Sequence, residues 1–190
     1  MPLSGGSLPT DSNPIRLSPD PFNYWIDRMY LQDAYKAALH STDVNTQVGC
    51  VLVVPYQGVL LSSWNAVPDR ILKSGFPCNK ETKNFCTEHA ERNILYKALE
   101  NRLPTTGLTL YSTWAACSDC SRAIIGCGIS RVVTLSRLVE RTPERWRETV
   151  ENGIEMMYFA GVKVVGWSGD LGVTEKLRFS GETIENKDLM

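Results

Sequence analysis

Apolar and polar residues alternate in patterns that predict a helix followed by a β-hairpin at the start of the fold. Between Phe22 and His40, apolar side chains recur at helical spacing: Trp25, Met29, Leu31, Ala34 and Ala38. The run 48–54 (VGCVLVV) is short, apolar and rich in β-branched residues, which is typical of a buried strand. A turn over 55–58 and a second strand over 59–64 complete the predicted hairpin.

The rest of the pattern alternates helices and strands, in the order 88–100, 108–112, 118–127, 131–135, 142–161 and 162–167. Leu99 and Trp146 are expected on the buried faces of their helices. The long helix between the last two strands favours a right-handed parallel crossover. We therefore predict an α/β fold of three layers, α/β/α, with a five-stranded mixed sheet.

Three stretches lie outside this pattern. Residues 1–20 are rich in Pro, Ser and Gly and are expected to form a flexible arm. Residues 65–86 predict a long irregular loop with one helical turn, and such loops are usually functional. No element is predicted for the polar tail 169–190. One domain is thus expected over 21–168.

Composition narrows the function classes. The 190 residues carry a net charge of −1, so no overall positive field would attract a polynucleotide. No apolar run approaches the roughly 20 residues of a membrane span, and the N-terminus lacks a signal-peptide pattern. With six cysteines and no such signal, thiols or a metal site in a reducing cytoplasm are expected rather than disulfides.

Two short runs carry the candidate chemistry: 87–91 (TEHAE) and 116–120 (ACSDC). His89, Cys117 and Cys120 are three ligands suited to a tetrahedral Zn²⁺ whose fourth position is open to water. Glu91 follows the histidine by two residues and could transfer protons without binding the metal. Both runs begin predicted helices, where the backbone favours negative charge and so eases ionisation of the thiols.

Two other interpretations of these runs stay open. The C-x-x-C spacing also occurs in redox pairs, although a redox pair has no need of the upstream His-Ala-Glu. A purely structural zinc would normally have a fourth Cys or His at close spacing.

Together, H-x-E and C-x-x-C resemble the signature of the zinc nucleobase deaminases. Within that group the chain is most similar to the deoxycytidylate (dCMP) deaminases, some of them from phage. Four stretches carry the resemblance: 43–49 (DVNTQVG), 89–93 (HAERN), 117–129 (CSDCSRAIIGCGI) and 160–162 (AGV). It extends from about Tyr24 to Trp167 and implies a cytidine-deaminase-like fold.

The resemblance implies hydrolysis of dCMP to dUMP and ammonia. It assigns the zinc ligands to His89, Cys117 and Cys120, and the proton shuttle to Glu91. The implied substrate contacts are Asn45, Thr46, Asn65, Ala90 and Trp114. It also implies a homo-oligomer, commonly a hexamer, with nucleotides as its small-molecule partners.

The chain departs from the family in three places. Residues 63–66 read SWNA where the family has G-Y-N-G, and the loss of both glycines argues against dCTP and dTTP as effectors. Ala116 replaces the Pro that usually precedes the first Cys. The loop 65–86 matches the family poorly.

Several residues have both a functional and a structural interpretation. Cations in the 65–86 loop could pair with a substrate phosphate or form a solvated face: Arg70, Lys73, Lys80 and Lys83. Cys78 and Cys86, with His40, could hold a second zinc, or the two thiols could simply be buried. Trp114 could equally be core filler.

The sequence is also compatible with three functions other than dCMP deamination. A deaminase of tRNA adenosine or single-stranded DNA cytosine would need a basic groove with stacking aromatics. A non-catalytic zinc-stabilised nucleotide-binding domain would not need Glu91. A deaminase of a free nucleoside, guanine or a pterin would not need the 43–49 run.

Overall fold

The computed structural model describes residues 17–79 and 81–190, so most of the predicted arm 1–20 lies outside the described residues. Five strands form one sheet in the order β2-β1-β3-β4-β5. Their bounds are Gly49–Val54 (β1), Gly58–Trp64 (β2), Thr109–Ser112 (β3), Arg131–Leu135 (β4) and Lys163–Trp167 (β5). Strand β1 pairs antiparallel with β2 and β3, whereas β3, β4 and β5 are parallel. The five-stranded mixed sheet is therefore confirmed.

Seven α-helices are described: Tyr24–Ala38 (α1), Asp69–Ser74 (α2), Lys83–Cys86 (α3), Ala90–Glu100 (α4), Ser118–Gly126 (α5), Ser136–Glu140 (α6) and Glu144–Phe159 (α7). None of the helices in the described part of the chain is long and apolar enough to cross a membrane. The sheet separates two apolar clusters, because successive strand residues point to opposite faces. Val51 and Val133 pack with α1 on one face, and Leu52 and Val132 pack with α4 and α5 on the other.

The buried face of α1 differs from the predicted stripe. Trp25 is 74% exposed and Met29 is 47% exposed, whereas Leu31 and Tyr35 are fully buried. Phe22, Trp25, Ile26 and Met29 instead leave an apolar strip on the outer surface. Leu99 of α4, also predicted to be buried, is 77% exposed. Helical spacing alone admits neighbouring stripes, and only packing against the sheet decides between them.

The polar tail contains elements that the sequence pattern does not predict. Strands Leu177–Phe179 (β6) and Glu182–Ile184 (β7) form a hairpin, and a 3₁₀ turn covers Asn186–Leu189. Apolar side chains of this segment are buried in the α1 cluster: Leu171, Val173, Leu177, Phe179, Ile184 and Leu189. Strands of three residues are too short to show a clear period, but they complete the core.

The loop 65–86 holds two short helices, α2 and α3, rather than one turn. His40 stacks on Trp64, with ring centroids 4.9 Å apart. Cys86 is buried and Cys78 half-buried, and both are free thiols. Among the described residues, no group of three close metal-ligating side chains includes either of them.

Two glycines mark close approaches between elements. A Cβ on Gly49 would lie 2.2 Å from the Ala34 carbonyl oxygen, so strand β1 and helix α1 are in backbone contact. A Cβ on Gly153 would lie 2.8 Å from the Ala116 carbonyl oxygen and 3.1 Å from the Cys117 carbonyl carbon. Helix α7 therefore packs directly against the backbone that starts α5.

A buried charge cluster joins residues near the N-terminus to the sheet. Arg131 contacts Asp27 at 2.7 Å and Asp20 at 3.1 Å, and Lys163 contacts Asp20 at 2.6 Å. Tyr111 donates a hydrogen bond to Asp27. The hydrogen bond from Lys163, followed by those from Asn23 and Arg131, holds the pKa of the Asp20 carboxyl far below its usual range.

Candidate metal centre

Three side chains converge where two helices begin. His89 immediately precedes α4, Cys117 immediately precedes α5, and Cys120 lies in the first turn of α5. The His89 Nδ1 atom is 3.5 Å from each sulfur, and the two sulfurs are 3.6 Å apart. The residues that the sequence predicts as zinc ligands are thus brought together, although they are separated by up to 31 positions.

The spacing of these atoms fits a tetrahedral zinc site. With Zn–S of about 2.3 Å and Zn–N of about 2.0–2.1 Å, a tetrahedron has edges of about 3.8 Å between sulfurs and about 3.6 Å from sulfur to nitrogen. The observed separations match those edges. They are too long for a disulfide, whose sulfurs are about 2.05 Å apart. Within the described residues the group contains three members, as a site with one open position requires.

Glu91 lies beside this group without belonging to it. Its side chain is buried, with one carboxylate oxygen 3.6 Å from the Cys120 sulfur and the other accepting a hydrogen bond of 3.3 Å from Ser112. Burial raises the pKa of the Glu91 carboxyl. Hydrogen bonds from Cys120 and His89 lower the pKa of Cys117 to about 3, although burial opposes this shift. The cluster thus combines a cysteine thiol that ionises easily with a carboxyl that is buried away from water.

Arg92 is a neighbour of the centre that the motif alone does not reveal. Its guanidinium donates to the Cys120 sulfur at 3.4 Å and pairs with Glu88 at 2.6 Å. A positive charge there would offset the negative charge that the two sulfurs carry as metal ligands. The sequence pattern gives no signal for this contact, which joins residues 28 positions apart.

Aromatic side chains line one side of the centre. The Trp146 ring packs edge-on to His89, with centroids 5.7 Å apart, and lies 6.3 Å from the Trp114 ring. Trp114 also packs edge-on to Phe179 at 5.0 Å and donates a hydrogen bond to Thr142. The sequence pattern predicts Trp146 only as core, because helical spacing cannot show which residues face a site.

Asn65 fastens the segment that contains Asn45 and Thr46. Its side-chain oxygen accepts from the Val48 N–H at 2.8 Å, and its amide donates to the Thr46 carbonyl at 2.8 Å. The next residue, Ala66, forms a two-way backbone bridge with Glu88, immediately before His89. The implied substrate residues are therefore tied to the metal centre through Asn65, and Ala90 is fully buried at the start of α4.

Asp43 organises the same segment. One carboxylate oxygen accepts from the backbone N–H groups of Asn45 and Thr46, and it receives the Lys83 ammonium at 2.6 Å. Of the four cations considered in the 65–86 loop, Lys83 is therefore engaged by a protein carboxylate. Lys73 approaches Asp69 at 4.0 Å on the surface. Lys80 lies outside the described residues.

Comparisons with known proteins agree with this geometry. The model of the cytidine and deoxycytidylate deaminase zinc-binding region matches residues 25–136, which include all three converging residues. A probable deoxycytidylate deaminase of Drosophila melanogaster is 29% identical over 60% of this chain, and the match spans 60% of that protein's length. An uncharacterized deaminase of Aliivibrio fischeri is 29% identical over 74% of this chain and 91% of its own.

Among solved structures, the dCMP deaminase of cyanophage S-TIM5 in complex with dCMP and dUMP is similar to this chain. The TM-score is 0.59 at 26% identity, covering 77% of this chain and 98% of that one. The donor set and the family region together confirm the predicted zinc-binding site. With the five-stranded sheet and more than half of its length matched, the chain belongs to the family of zinc-dependent cytidine and deoxycytidylate deaminases.

Proposed function

We propose that this protein hydrolyses dCMP to dUMP and ammonia. The observation that carries the reaction type is the His89–Cys117–Cys120 group with the buried Glu91 carboxylate against it. Support for the substrate comes from the similar cyanophage enzyme, whose structure holds dCMP and dUMP. The net charge of −1 favours a free nucleotide over a polynucleotide.

Zinc held by His89, Cys117 and Cys120 would supply an acidified water as the nucleophile. Glu91, whose carboxylate lies against this group, would take a proton from the attacking water and deliver it to N3 of the cytosine ring, while C4 gains the water oxygen. Glu91 then carries the second proton to the exocyclic nitrogen, the C4–N4 bond breaks, and ammonia leaves. The balance is one dCMP and one water giving one dUMP and one ammonia.

The surroundings orient the base and exclude solvent. Ser112 holds one oxygen of Glu91, which leaves the other facing the metal group. The Trp146 and Trp114 rings form an apolar wall suited to the flat face of a base. Asn45, Thr46 and Asn65 provide polar groups for the sugar end, with the Ala90 backbone at the base edge.

Ammonia release from dCMP, dCTP, deoxycytidine and a short cytosine oligonucleotide tests the substrate directly. We expect turnover of dCMP with the highest kcat/KM. Reaction of the oligonucleotide alone would show that the proposed substrate is wrong and favour a polynucleotide deaminase.

A Glu91→Gln variant tests the proton transfer. It should keep its zinc and lose activity by about 100-fold or more, since general acid–base catalysis contributes about 10²–10⁴-fold. Glu100→Gln, at the exposed end of the same helix, is the matched control. If zinc content falls in step with activity in Glu91→Gln, Glu91 is a ligand rather than the shuttle.

We further propose a homo-oligomer in a reducing cytoplasm. The exposed apolar strip of Phe22, Trp25, Ile26 and Met29 is the kind of surface that associates. The six free thiols fit a reducing compartment. Light scattering should give a mass above that of one 21.2 kDa chain, with a hexamer expected from the resemblance, and Trp25→Lys should lower it. A monomeric wild type would contradict this proposal.

A further inference from the structure

The hairpin β6–β7 docks on the segment that holds Asn45 and Thr46. The Gln47 N–H donates to the Arg178 carbonyl at 2.8 Å, and the Arg178 N–H donates back to the Gln47 side chain at 3.0 Å. The Ser180 N–H donates to the Thr46 hydroxyl at 3.1 Å. The Gly181 N–H donates to the Asn45 carbonyl at 2.9 Å. The hairpin thus extends this segment as a short paired ribbon, although the family region ends at residue 136.

The same hairpin also reaches the aromatic side of the centre. Phe179 packs edge-on to Trp114, Trp114 contacts Trp146, and Trp146 packs against the His89 ring. Leu177 and Phe179 are buried in the α1 cluster and anchor the strand. Residue 178, between them, therefore points away from the core, beside the Asp43 end of the polar segment.

Arg178 carries a charge that the described part of the chain does not neutralise. Its side chain is exposed, and its Nε donates to the Asp43 carbonyl oxygen at 3.3 Å. Its two terminal nitrogens have no hydrogen bond or ion pair among the described residues, so the fork is available. The nearby carboxylates are paired with other cations: Asp43 with Lys83, Glu182 with Arg141, and Glu185 with Lys176.

A nucleoside monophosphate presents the anion that suits this arrangement. A phosphate accepts two parallel hydrogen bonds from a guanidinium, and the arginine fork is planar and always charged. Because the whole chain has a net charge of −1, attraction for the phosphate has to come from a local cation. Lys83 is occupied by Asp43, whereas Arg178 is held at one nitrogen and free at two.

We propose that Arg178 binds the 5′-phosphate of the substrate and so makes the enzyme prefer the nucleotide to the nucleoside. The proposal rests on the proposed deamination of dCMP and adds the residue that selects the phosphorylated substrate. The β6–β7 hairpin is then part of the substrate site, and Asp43 positions the arginine through its carbonyl oxygen.

The test compares kcat/KM for dCMP and for deoxycytidine in the wild type, Arg178→Ala and Arg178→Lys. We expect Arg178→Ala to lower the ratio of the two values by about tenfold or more, mainly through KM for dCMP, as loss of a charge-assisted contact predicts. Arg178→Lys should restore part of the ratio. Lys176→Ala is the control: it removes an exposed cation that is paired with Glu185 and lies two residues before Arg178. This variant should leave the ratio unchanged.

A purely structural role for Arg178 would lower both kcat/KM values together and leave their ratio unchanged, and that result would overturn the proposal. The proposal would also be overturned if Arg70→Ala lowered the ratio and Arg178→Ala did not. That result would place the phosphate at the 65–86 loop. Calorimetric binding of dUMP and deoxyuridine gives the same comparison without turnover. A wild type inactive on dCMP would instead reject the proposed function, and this proposal with it.

Discussion

Replacing Gly153 by alanine sets two well-known effects against each other. Gly153 lies in the interior of α7, where glycine is less favourable than alanine by about 1 kcal/mol. On helix propensity alone, Gly153→Ala should therefore stabilise the protein. The packing of α7 against the start of α5 predicts the opposite sign.

The distances decide between the two effects. The added Cβ would lie 2.6 Å from the Ser121 hydroxyl, 2.8 Å from the Ala116 carbonyl oxygen and 3.1 Å from the Cys117 carbonyl carbon. Two of these neighbours are backbone atoms, which cannot turn away, so α7 has to retreat by roughly half an ångström or more to reach normal contact distances. Overpacking of this kind costs about 1–3 kcal/mol. Subtracting the propensity gain of about 1 kcal/mol leaves a net destabilisation of up to about 2 kcal/mol, which corresponds to a Tm lower by up to about 4–8 °C.

Thermal unfolding of the two proteins, followed by circular dichroism, measures this difference. Gly126→Ala is the matched control, because Gly126 ends α5 and a Cβ there meets nothing within 4 Å. The control should have a Tm equal to that of the wild type or slightly higher. A Tm for Gly153→Ala at or above the wild-type value would refute the packing argument. Zinc content should also fall in Gly153→Ala, because part of the clash falls on the backbone of Cys117, a metal ligand.

Three further predictions follow from other contacts. Arg92→Leu should lose its zinc at a chelator concentration at least about tenfold lower than the wild type needs. Neighbours that hydrogen-bond to metal ligands typically contribute 10–100-fold to metal affinity. Asp20→Asn should lower Tm at pH 7, because Lys163 holds the pKa of the Asp20 carboxyl below its usual range. The difference in Tm between the wild type and Asp20→Asn should shrink as the pH falls below about 4, because the carboxyl then takes up a proton in the unfolded chain but not in the folded one. Asn65→Ala should lower Tm by several degrees, because the buried Val48 N–H loses its acceptor at a cost of about 1–3 kcal/mol.

Each of these predictions has a control and a contradicting result. Arg122→Leu, on the exposed side of α5, should keep zinc as the wild type does, and equal zinc retention in Arg92→Leu would rule out the arginine contact. A constant Tm difference from pH 7 to pH 3 would show that the Asp20 charge is not responsible. Asn101→Ala removes an exposed amide that donates to a helix carbonyl, so a loss as large as that of Asn65→Ala would contradict the burial argument.

The strands and the metal ligands were predictable because their signals are local. The β1 run is apolar at nearly every position, and β4 spans Arg131–Leu135 as its residues predict. The ligands follow from residue type and spacing: imidazole at 89 and two thiols three positions apart. Both kinds of signal are read from a few neighbouring residues, without knowledge of what packs where.

Other features depend on contacts between distant parts of the chain. Nothing local to Trp146 shows that its ring meets an imidazole 57 positions earlier, and Trp25 and Leu31 fit helical spacing equally well. Helix α6 has five residues, too few to show a period. The hydrogen-bond partners of Asn65 are backbone groups, which every residue type has, so the sequence cannot show them.

The docking of β6–β7 on the Asn45–Gln47 segment has a consequence for how the protein is made. Hydrogen bonds join positions up to 136 residues apart, and on the hairpin side they involve residues 178–181. During synthesis on the ribosome, the early segment cannot form these bonds until residues 178–181 have been made. The metal ligands, all at or before residue 120, emerge much sooner. A nascent chain therefore contains all three metal-ligating side chains well before the hairpin can dock on the Asn45–Gln47 segment.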